Sequence, residues 1–193
     1  MSPTASKEKG RSMEFEKVVK ERRSIRRFKS EPVSRETFEE IIGMARFAPS
    51  WKNTQIARYI VVTDPEKKAS LATPECVFDF TFNLKTLESA TAIVLLTYVK
   101  NLSGFERDGS YSTPMGATWQ NFDAGIAAQT FCLAAQDKGV GTVILGYYDE
   151  KAIREKVDIP DDQVIGAVIA CGYPDEEPNA PKRKEVGELV KFI

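Results

Sequence analysis

The chain has 193 residues and a formal net charge of −1, with 27 lysines and arginines against 28 aspartates and glutamates. This length fits one domain with a sizeable core, and the balanced charge excludes the sustained positive surface that general nucleic-acid binding needs. Hydrophobic residues make up 42% of the sequence, but no apolar run approaches the roughly 18 residues that predict a membrane span. We therefore expect a soluble globular protein that binds neither nucleic acid nor a membrane.

The first predicted element is a helix in which Phe15, Val18 and Val19 recur at helical spacing. Residues 1–12 before it are polar and contain no apolar signal segment, so we expect a disordered lead-in. Residues 13–193 are predicted to form a single domain.

A basic cluster follows this helix directly and consists of Arg22, Arg23, Ser24, Arg26 and Arg27. Arginine presents a planar fork of donors that matches phosphate oxygens, and the serine hydroxyl can bind the same anion or a sugar. In the alternative interpretation, the cations only complement the dipole at the end of a helix and stay solvated. A second basic run, Lys182-Arg183-Lys184, favours the first interpretation, in which these local cations bind a small anionic ligand.

A second helix is predicted from Ser34, a suitable N-cap, to Ala48, because Pro49 cannot continue a helix. The loop over residues 49–55 is dense in side chains that form hydrogen bonds. Residues 59–63 have the apolar, β-branched character of a buried strand.

The sequence next predicts a short helix over residues 66–71 and a second buried strand over residues 92–99. Residues 73–87 are ambiguous, since three phenylalanines recur at the two-residue spacing of a strand but lie close to a proline. Residues 101–115 contain two glycines and a proline, which predicts a flexible loop of the kind that is often functional.

The longest predicted helix covers residues 119–138, and its apolar and small residues occupy most of its circumference. Such a helix is central either to the core or to a subunit interface. A strand over residues 142–145, a helix over 149–157 and a strand over 164–171 follow. Because strands and helices do not alternate regularly, the pattern favours an α+β fold with a sheet between helices.

The polar tail after residue 174 has an apolar end, formed by Val186, Leu189, Val190, Phe192 and Ile193. This pattern predicts an arm that docks elsewhere, for example on a partner chain.

The sequence contains no histidine, which excludes Ser-His-Asp and Cys-His catalysis and the two-histidine zinc motif. Cys76, Cys132 and Cys171 are too scattered for a disulfide framework or a zinc site, so we expect buried free thiols in a cytoplasmic protein. Residues 139–141 end a helix and lack the third glycine of a dinucleotide fingerprint.

An ordered set of motifs resembles the nitroreductase family of FMN-dependent NAD(P)H oxidoreductases. The motifs, in the family's order, are Arg22-Arg23-Ser24-Ile25-Arg26, Pro32-Val33, Ala48-Pro49-Ser50 with Asn53 and Gln55, Asn83, Gly139-Val140-Gly141-Thr142, Leu145-Gly146, Gly172-Tyr173-Pro174 and Lys182-Arg183-Lys184. The resemblance implies a nitroreductase-like α+β fold with a central, mainly antiparallel sheet flanked by helices. It also implies a homodimer that exchanges its C-terminal arm.

The resemblance further implies which residues bind the cofactor. Arg22 and Arg23 would meet the FMN phosphate and the flavin edge, Ser24 the phosphate or ribityl chain, and Arg26 the ribityl or pyrimidine end. Asn83 would form a hydrogen bond with the cofactor.

The backbone around Leu145 and Gly146 would reach flavin N5, so no side chain is predicted to be catalytic. The remaining predicted cofactor-binding residues are Pro49, Ser50 and Asn53 from the neighbouring subunit, and Lys182, Arg183 or Lys184 at the phosphate. The candidate substrate wall consists of Trp51, Phe105 and Tyr111, for which simple packing is the alternative.

This sequence departs from the family pattern at two places. Ile56 and Ala57 follow Gln55 where the family usually continues with proline and a tryptophan, and Leu145 stands where some members have a glutamate. Both departures concern the substrate more than the cofactor.

The function implied by the resemblance is transfer of hydride from NAD(P)H through FMN to a nitroaromatic, a quinone or a similar small acceptor. A chain without histidine suits this activity because the flavin supplies the redox chemistry. The alternatives are a flavin-binding relative without nitroreductase turnover, used in storage, sensing or dehalogenation, and an interaction domain whose arginines are only a solvated helix end.

Overall fold

A four-stranded sheet runs through the centre of the protein, with helices on both of its faces. The computed structural model describes residues 14–193, and the predicted lead-in over residues 1–12 lies outside the described residues. The helices are α1 (Phe15–Glu21), α2 (Arg35–Ala45), α3 (Pro65–Leu71), α4 (Thr81–Ser89), α5 (Trp119–Asp137), α6 (Glu150–Arg154) and α7 (Val186–Leu189). The strands are β1 (Ala57–Val62), β2 (Ala92–Val99), β3 (Gly141–Leu145) and β4 (Gln163–Gly172). Within residues 14–193, no helix has the length and hydrophobicity to cross a membrane.

The strands lie in the order β1-β2-β4-β3, and each neighbouring pair is antiparallel. β2 and β4 are central, so their nearly continuous apolar sequences are buried under helices on both faces. The pairing of β2 with β4 shifts between Leu96 and Thr97, where a bulge bends the strand. The predicted α+β class, with a mainly antiparallel sheet between helices, is confirmed.

Each face of the sheet has its own hydrophobic core. α2 and α5 cover one face, where Ile41 and Phe131 are fully buried. α3, α4 and α6 cover the other face with Leu71, Leu87 and Ile153. Burial of each such side chain contributes about 1.5–3 kcal/mol, so helices are held firmly on both faces. An apolar strand residue that stays exposed therefore marks a place that the helices leave open.

Helix α2 begins where the sequence predicted. The Ser34 hydroxyl accepts a hydrogen bond of 3.1 Å from the backbone N–H of Thr37, as an N-cap does. The helix ends at Ala45, earlier than expected, because its last turn tightens and the N–H of Ala48 donates to Ala45 O at 3.0 Å.

The structure resolves the ambiguous stretch over residues 73–87 and shortens the helix that was predicted over residues 149–157. The phenylalanine-rich stretch is not a strand: Phe78 and Asp79 have φ angles of 48° and 59°, and this left-handed turn leads into α4. Helix α6 is shorter than predicted because the Arg154 guanidinium donates to the carbonyls of Ile159 and Gln163, which draws the chain into a turn.

The loop over residues 101–115 is closed by its own hydrogen bonds. The N–H of Glu106 donates to Ser110 O, and the N–H of Ser112 donates to Gly104 O, both at 2.8 Å. Phe105 and Tyr111 also pair as an isolated bridge. The predicted loop is therefore present, with a folded shape of its own.

Residues 22–28, which we call the arginine-containing segment, lie against the sheet beside β3. Ser24 pairs with Thr142 in the parallel direction, and the N–H of Ile25 donates to Thr142 O at 3.0 Å. Gly141 and Gly172 face each other across β3 and β4. A Cβ atom at either glycine would lie 2.9 Å from a side-chain atom of the segment, in Ile25 or Phe28. The segment can approach the sheet this closely only because both positions lack a side chain.

We predict that Gly141→Ala lowers the free energy of unfolding by about 1–3 kcal/mol, the usual cost of overpacking a well-packed site. Urea denaturation followed by circular dichroism measures this. Gly43→Ala is the matched control, because a Cβ at this α2 position has no atom within 4 Å and alanine favours a helix. Equal stability of the Gly141→Ala variant and the wild type would contradict the packing argument.

Candidate functional site

The strand-like course of the arginine-containing segment separates its side chains onto two faces. Successive residues of an extended chain point to opposite sides. Ile25 packs into the core under α3, α4 and α6, and Arg23 lines a cleft beside it. Arg22 and Ser24 therefore face the α5 side. Burial raises the pKa of the Cys132 thiol on α5, whereas a Thr142 hydrogen bond and the charge of Arg22 lower it, so Arg22 lies near α5.

Arg23 has a structural role at the end of α1. Its guanidinium donates to the carbonyl oxygens of Lys20 at 2.6 Å and Arg22 at 2.9 Å. These carbonyls belong to the unpaired C-terminal end of the helix. The helix-end interpretation thus describes Arg23, and its predicted contact with the flavin edge stays a prediction.

Asn83 connects helix α4 to the chain that follows β3. Its side chain is buried, and its Nδ2 donates to Tyr147 O at 3.1 Å. The neighbouring Phe82 lies under the Arg26 guanidinium, 5.5 Å from the ring centroid. The structure thus brings three predicted parts of the site together: the arginine-containing segment, Asn83 and the end of β3.

The end of β3 is open on its surface. The Leu145 side chain is buried in the core, so only its backbone is available to a ligand. A Cβ atom at Gly146 would meet nothing within 4 Å. Ile144 is 45% exposed and lines a cleft of about 270 Å³ with Gly125 and Gln129 of α5. This part of the sheet offers an apolar surface that the subunit's own helices leave partly uncovered.

Four aromatic side chains form an exposed group next to this open end, which we call the aromatic patch: Phe78, Phe80, Phe82 and Tyr147. Each is between 46% and 58% exposed. Tyr147 lies 5.1 Å from Phe78 and 5.8 Å from Phe80 between ring centroids, and its ring is perpendicular to that of Phe80. The sequence analysis did not assign these residues to the site. The two-residue spacing of the three phenylalanines was the available signal, but it left the stretch ambiguous.

The polar loop after α2 is held by a buried carboxylate that the sequence analysis missed. Asp123 of α5 is only 4% exposed; it accepts a 2.9 Å hydrogen bond from the N–H of Trp51 and one from the Ser103 hydroxyl. Pro49 and Ser50, together with Asp123, line a cavity of about 580 Å³ between α2, α5 and β1.

The predicted substrate-wall residues belong to this second region. Trp51 packs edge-on against Trp119 at 5.3 Å, and Phe105 lies 5.2 Å from Tyr111. Asn53, with a φ of 55°, is in the same loop as Trp51. Within the described part of one subunit, these loops form no hydrogen bond or ion pair with the arginine-containing segment. Their predicted role in the cofactor or substrate site stays a prediction.

The second basic run lies on the C-terminal arm, which we define as residues 175–193. Lys182, Arg183 and Lys184 are all exposed, and none of them forms an ion pair in the described part of the chain. The predicted contact of one of them with a phosphate stays a prediction.

Comparison with known proteins identifies the family. A family model described as "Nitroreductase family" matches residues 19–75 and 79–173. An Archaeoglobus fulgidus protein named as an NADH dehydrogenase/NAD(P)H nitroreductase is 35% identical over 167 residues, which are 83% of this chain and 86% of the relative. The iodotyrosine deiodinase of Nematostella vectensis is 26% identical over 210 residues, covering 97% of this chain and 78% of that protein. A nitroreductase-type structure from Exiguobacterium sibiricum, solved in complex with FMN, has a TM-score of 0.79 at 22% identity and covers 94% of this chain and 98% of that chain.

We predict that acid weakens the contact between the two loops. Lys52 Nζ lies 2.9 Å from the Glu106 carboxylate, and hydrogen bonds from Ser112 and Lys52 lower the pKa of Glu106. Because the folded pKa lies below the unfolded one, the stabilisation is present at neutral pH and is lost as pH falls through the folded pKa.

The measurement compares the urea midpoints of the wild type and Glu106→Gln at pH 7 and at about pH 3. The variant should be less stable at pH 7, and the difference should shrink in acid. Glu66→Gln, at the start of α3, controls for the general loss of a carboxylate. A difference that stays constant with pH would contradict the prediction.

Proposed function

Because the chain belongs to the nitroreductase family, we propose that it is an FMN-dependent oxidoreductase that passes hydride from NAD(P)H to a small aromatic acceptor, such as a nitroaromatic or a quinone. The observation that carries this proposal is the open apolar surface at Ile144 and Gly146, beside a segment whose Arg22 and Ser24 face the same side of the sheet.

The residues present fit FMN at both of its ends. Arginine and a serine hydroxyl suit a phosphate group, and the exposed sheet surface at Ile144 suits a flat ring system. The open backbone at Gly146 leaves room for close approach of a ligand. FMN, when bound, supplies the hydride transfer that no side chain of this chain can supply. The role of the protein is then to bind, to orient and to stabilise negative charge with Arg22 and Arg26.

We further propose that the active form is a homodimer. The apolar end of the arm is exposed in the single subunit, where Phe192 is 89% exposed to solvent. Phe122 and Gly125 are likewise exposed on α5, the helix that sequence analysis assigned to the core or to an interface. Monomeric proteins rarely leave such apolar surfaces uncovered. A second subunit would also supply Pro49, Ser50 and Asn53 to the cofactor, as the resemblance implies.

The aromatic patch is the surface that we assign to the acceptor. It follows Gly146 directly through Tyr147, and Asn83 fixes that connection. The perpendicular rings of Phe80 and Tyr147 form a corner, in which a planar ring can stack on one face and meet the edge of the other. Trp51, Phe105 and Tyr111 stay as further candidates contributed across the dimer.

A second candidate function is reductive dehalogenation by the same cofactor. The observation that favours it is the similarity to the Nematostella deiodinase, which extends over 97% of this chain. Anaerobic addition of NADPH separates the two. Bleaching of the flavin spectrum supports NAD(P)H oxidoreductase activity, whereas a flavin that stays oxidised favours a relative that receives its electrons elsewhere.

We predict that Arg22→Ala weakens FMN binding about tenfold or more, because a hydrogen bond to a charged group is typically worth about 1.5–3 kcal/mol. Titration of the apoprotein with FMN, monitored by quenching of flavin fluorescence, gives the dissociation constant. Arg35→Ala is the matched control, since Arg35 is an exposed α2 residue that pairs with Glu39 at 2.8 Å. An unchanged FMN affinity in Arg22→Ala would count strongly against the assigned site.

We predict that Phe80→Leu raises the KM for an aromatic quinone several-fold, because leucine retains apolar volume but removes a ring contact worth about 0.5–1.5 kcal/mol. Steady-state kinetics with saturating NADPH measure the change. Phe15→Leu serves as control, since Phe15 is a highly exposed phenylalanine at the start of α1. The same KM in Phe80→Leu and the wild type would remove the patch from the acceptor site.

A further inference from the structure

The root of the C-terminal arm is bound directly to the arginine-containing segment. A Glu176 Oε1 atom accepts hydrogen bonds from the backbone N–H of Arg26 at 2.5 Å and of Arg27 at 3.3 Å. These two residues are 149 or more positions away from Glu176 in sequence. A carboxylate that accepts from two successive backbone N–H groups forms charge-assisted bonds with a defined direction.

A second set of bonds joins the preceding residue to the same segment. The Arg27 guanidinium donates from Nε at 2.9 Å and from a terminal nitrogen at 2.7 Å to Asp175 O. The N–H of Asp175 donates back to Arg27 O at 3.0 Å. We call this arrangement of Arg26, Arg27, Asp175 and Glu176 the Glu176 latch.

The latch continues an existing pairing of the two chains. Phe28 and Pro174 form an antiparallel bridge, and the N–H of Lys29 donates to Tyr173 O at 2.8 Å. Phe28 is buried against Gly172. The arm therefore leaves the sheet alongside the arginine-containing segment, and Glu176 is the last residue of the arm that is bonded to it.

The basic run begins six positions after Glu176, at Lys182. Six extended residues span at most roughly 20 Å, so a Glu176 that is fixed by the latch keeps Lys182 within that distance of Arg26 and Arg27. Without the latch, the arm would leave from Pro174 with a wider range of directions.

A negative charge at this position is otherwise unfavourable for an anionic ligand. Glu176 lines a cleft with Glu21 and Glu177, close to residues that are proposed to hold a phosphate. A carboxylate beside Arg26 repels an anionic ligand, so a favourable interaction of Glu176 within the protein must offset that repulsion. The bonds to the backbone of Arg26 and Arg27 provide that interaction.

We propose that Glu176 is a positioning residue that orients the C-terminal arm so that residues 182–184 and the arginine-containing segment bind the same phosphate group. The identity of that phosphate, as part of FMN, rests on the proposed function. Glu176 does not touch the ligand and acts through the backbone of Arg26 and through the course of the arm.

The experiment compares Glu176→Ala with Glu177→Ala. Both variants remove one negative charge from adjacent positions, so the electrostatic attraction of FMN changes alike, whereas only the first breaks the latch. We expect the FMN dissociation constant of the apoprotein to rise about tenfold in Glu176→Ala and to stay level or fall slightly in Glu177→Ala. Glu176→Gln keeps an acceptor oxygen without the charge and should lie between the wild type and Glu176→Ala.

A second readout needs no flavin. Trypsin cleaves after lysine and arginine, so the rate at which the arm is cut at residues 182–184, followed by mass spectrometry, reports how firmly the arm is held. Glu176→Ala should be cut several-fold faster than Glu177→Ala, with unchanged circular dichroism. This faster cleavage is expected even if the wild type binds no FMN, in which case the proposed function fails while the positioning of the arm is still decided. Equal cleavage and equal FMN affinity in the two variants, or tighter FMN binding by Glu176→Ala, would overturn the proposal.

Discussion

The close approach of the arginine-containing segment to the sheet is the constraint on which the rest of the site depends. It requires backbone without side chains at Gly141 and Gly172, because a Cβ at either position would collide with Ile25 or Phe28. Once the segment lies beside β3, the alternation of an extended chain determines which side each residue faces. Arg22 and Ser24 then face α5, whereas the Arg23 guanidinium turns back to the carbonyl groups at the end of α1. The different surroundings of Arg22 and Ser24 on one side and Ile25 on the other thus follow from packing at two glycines.

The candidate site is a place where the fold leaves its sheet incompletely covered. β2 and the inner part of β4 are buried on both faces, whereas Ile144 and Gly146 at the edge strand are open. An exposed apolar surface costs free energy in water, so a ligand or a second subunit that covers it is favoured. The same logic applies to the aromatic patch, whose left-handed residue Phe78 is in a backbone conformation that bulky residues rarely adopt. Strain and exposed aromatic rings occur together beside the end of β3.

The loop around Trp51 and the loop over residues 101–115 are held in place by one buried side chain. They contain little regular structure, and the buried carboxylate of Asp123 fixes both by accepting hydrogen bonds from the Trp51 backbone and the Ser103 hydroxyl. A buried charge is tolerated only when hydrogen bonds compensate its lost hydration. This arrangement gives the loops a defined shape on α5, the helix that also lines the cleft at Ile144. One helix therefore connects the two regions that a dimer would combine.

The amino-acid sequence by itself determined the helices and strands with strong periodicity, the α+β class and the family. The resemblance of its motifs also predicted Arg22, Ser24 and the end of β3 as cofactor-binding positions, because the order of cations, hydroxyl groups and glycines along the chain can be read without knowing any contact. Only the tertiary structure decided that Phe78, Phe80 and Tyr147 form one surface, and that Asp123 and Glu176 hold distant segments. These assignments depend on which residues meet across long stretches of chain, and neither local propensity nor spacing encodes that. The two-residue spacing of the phenylalanines left residues 73–87 ambiguous, and only the left-handed turn at Phe78 and Asp79, followed by α4, resolved them.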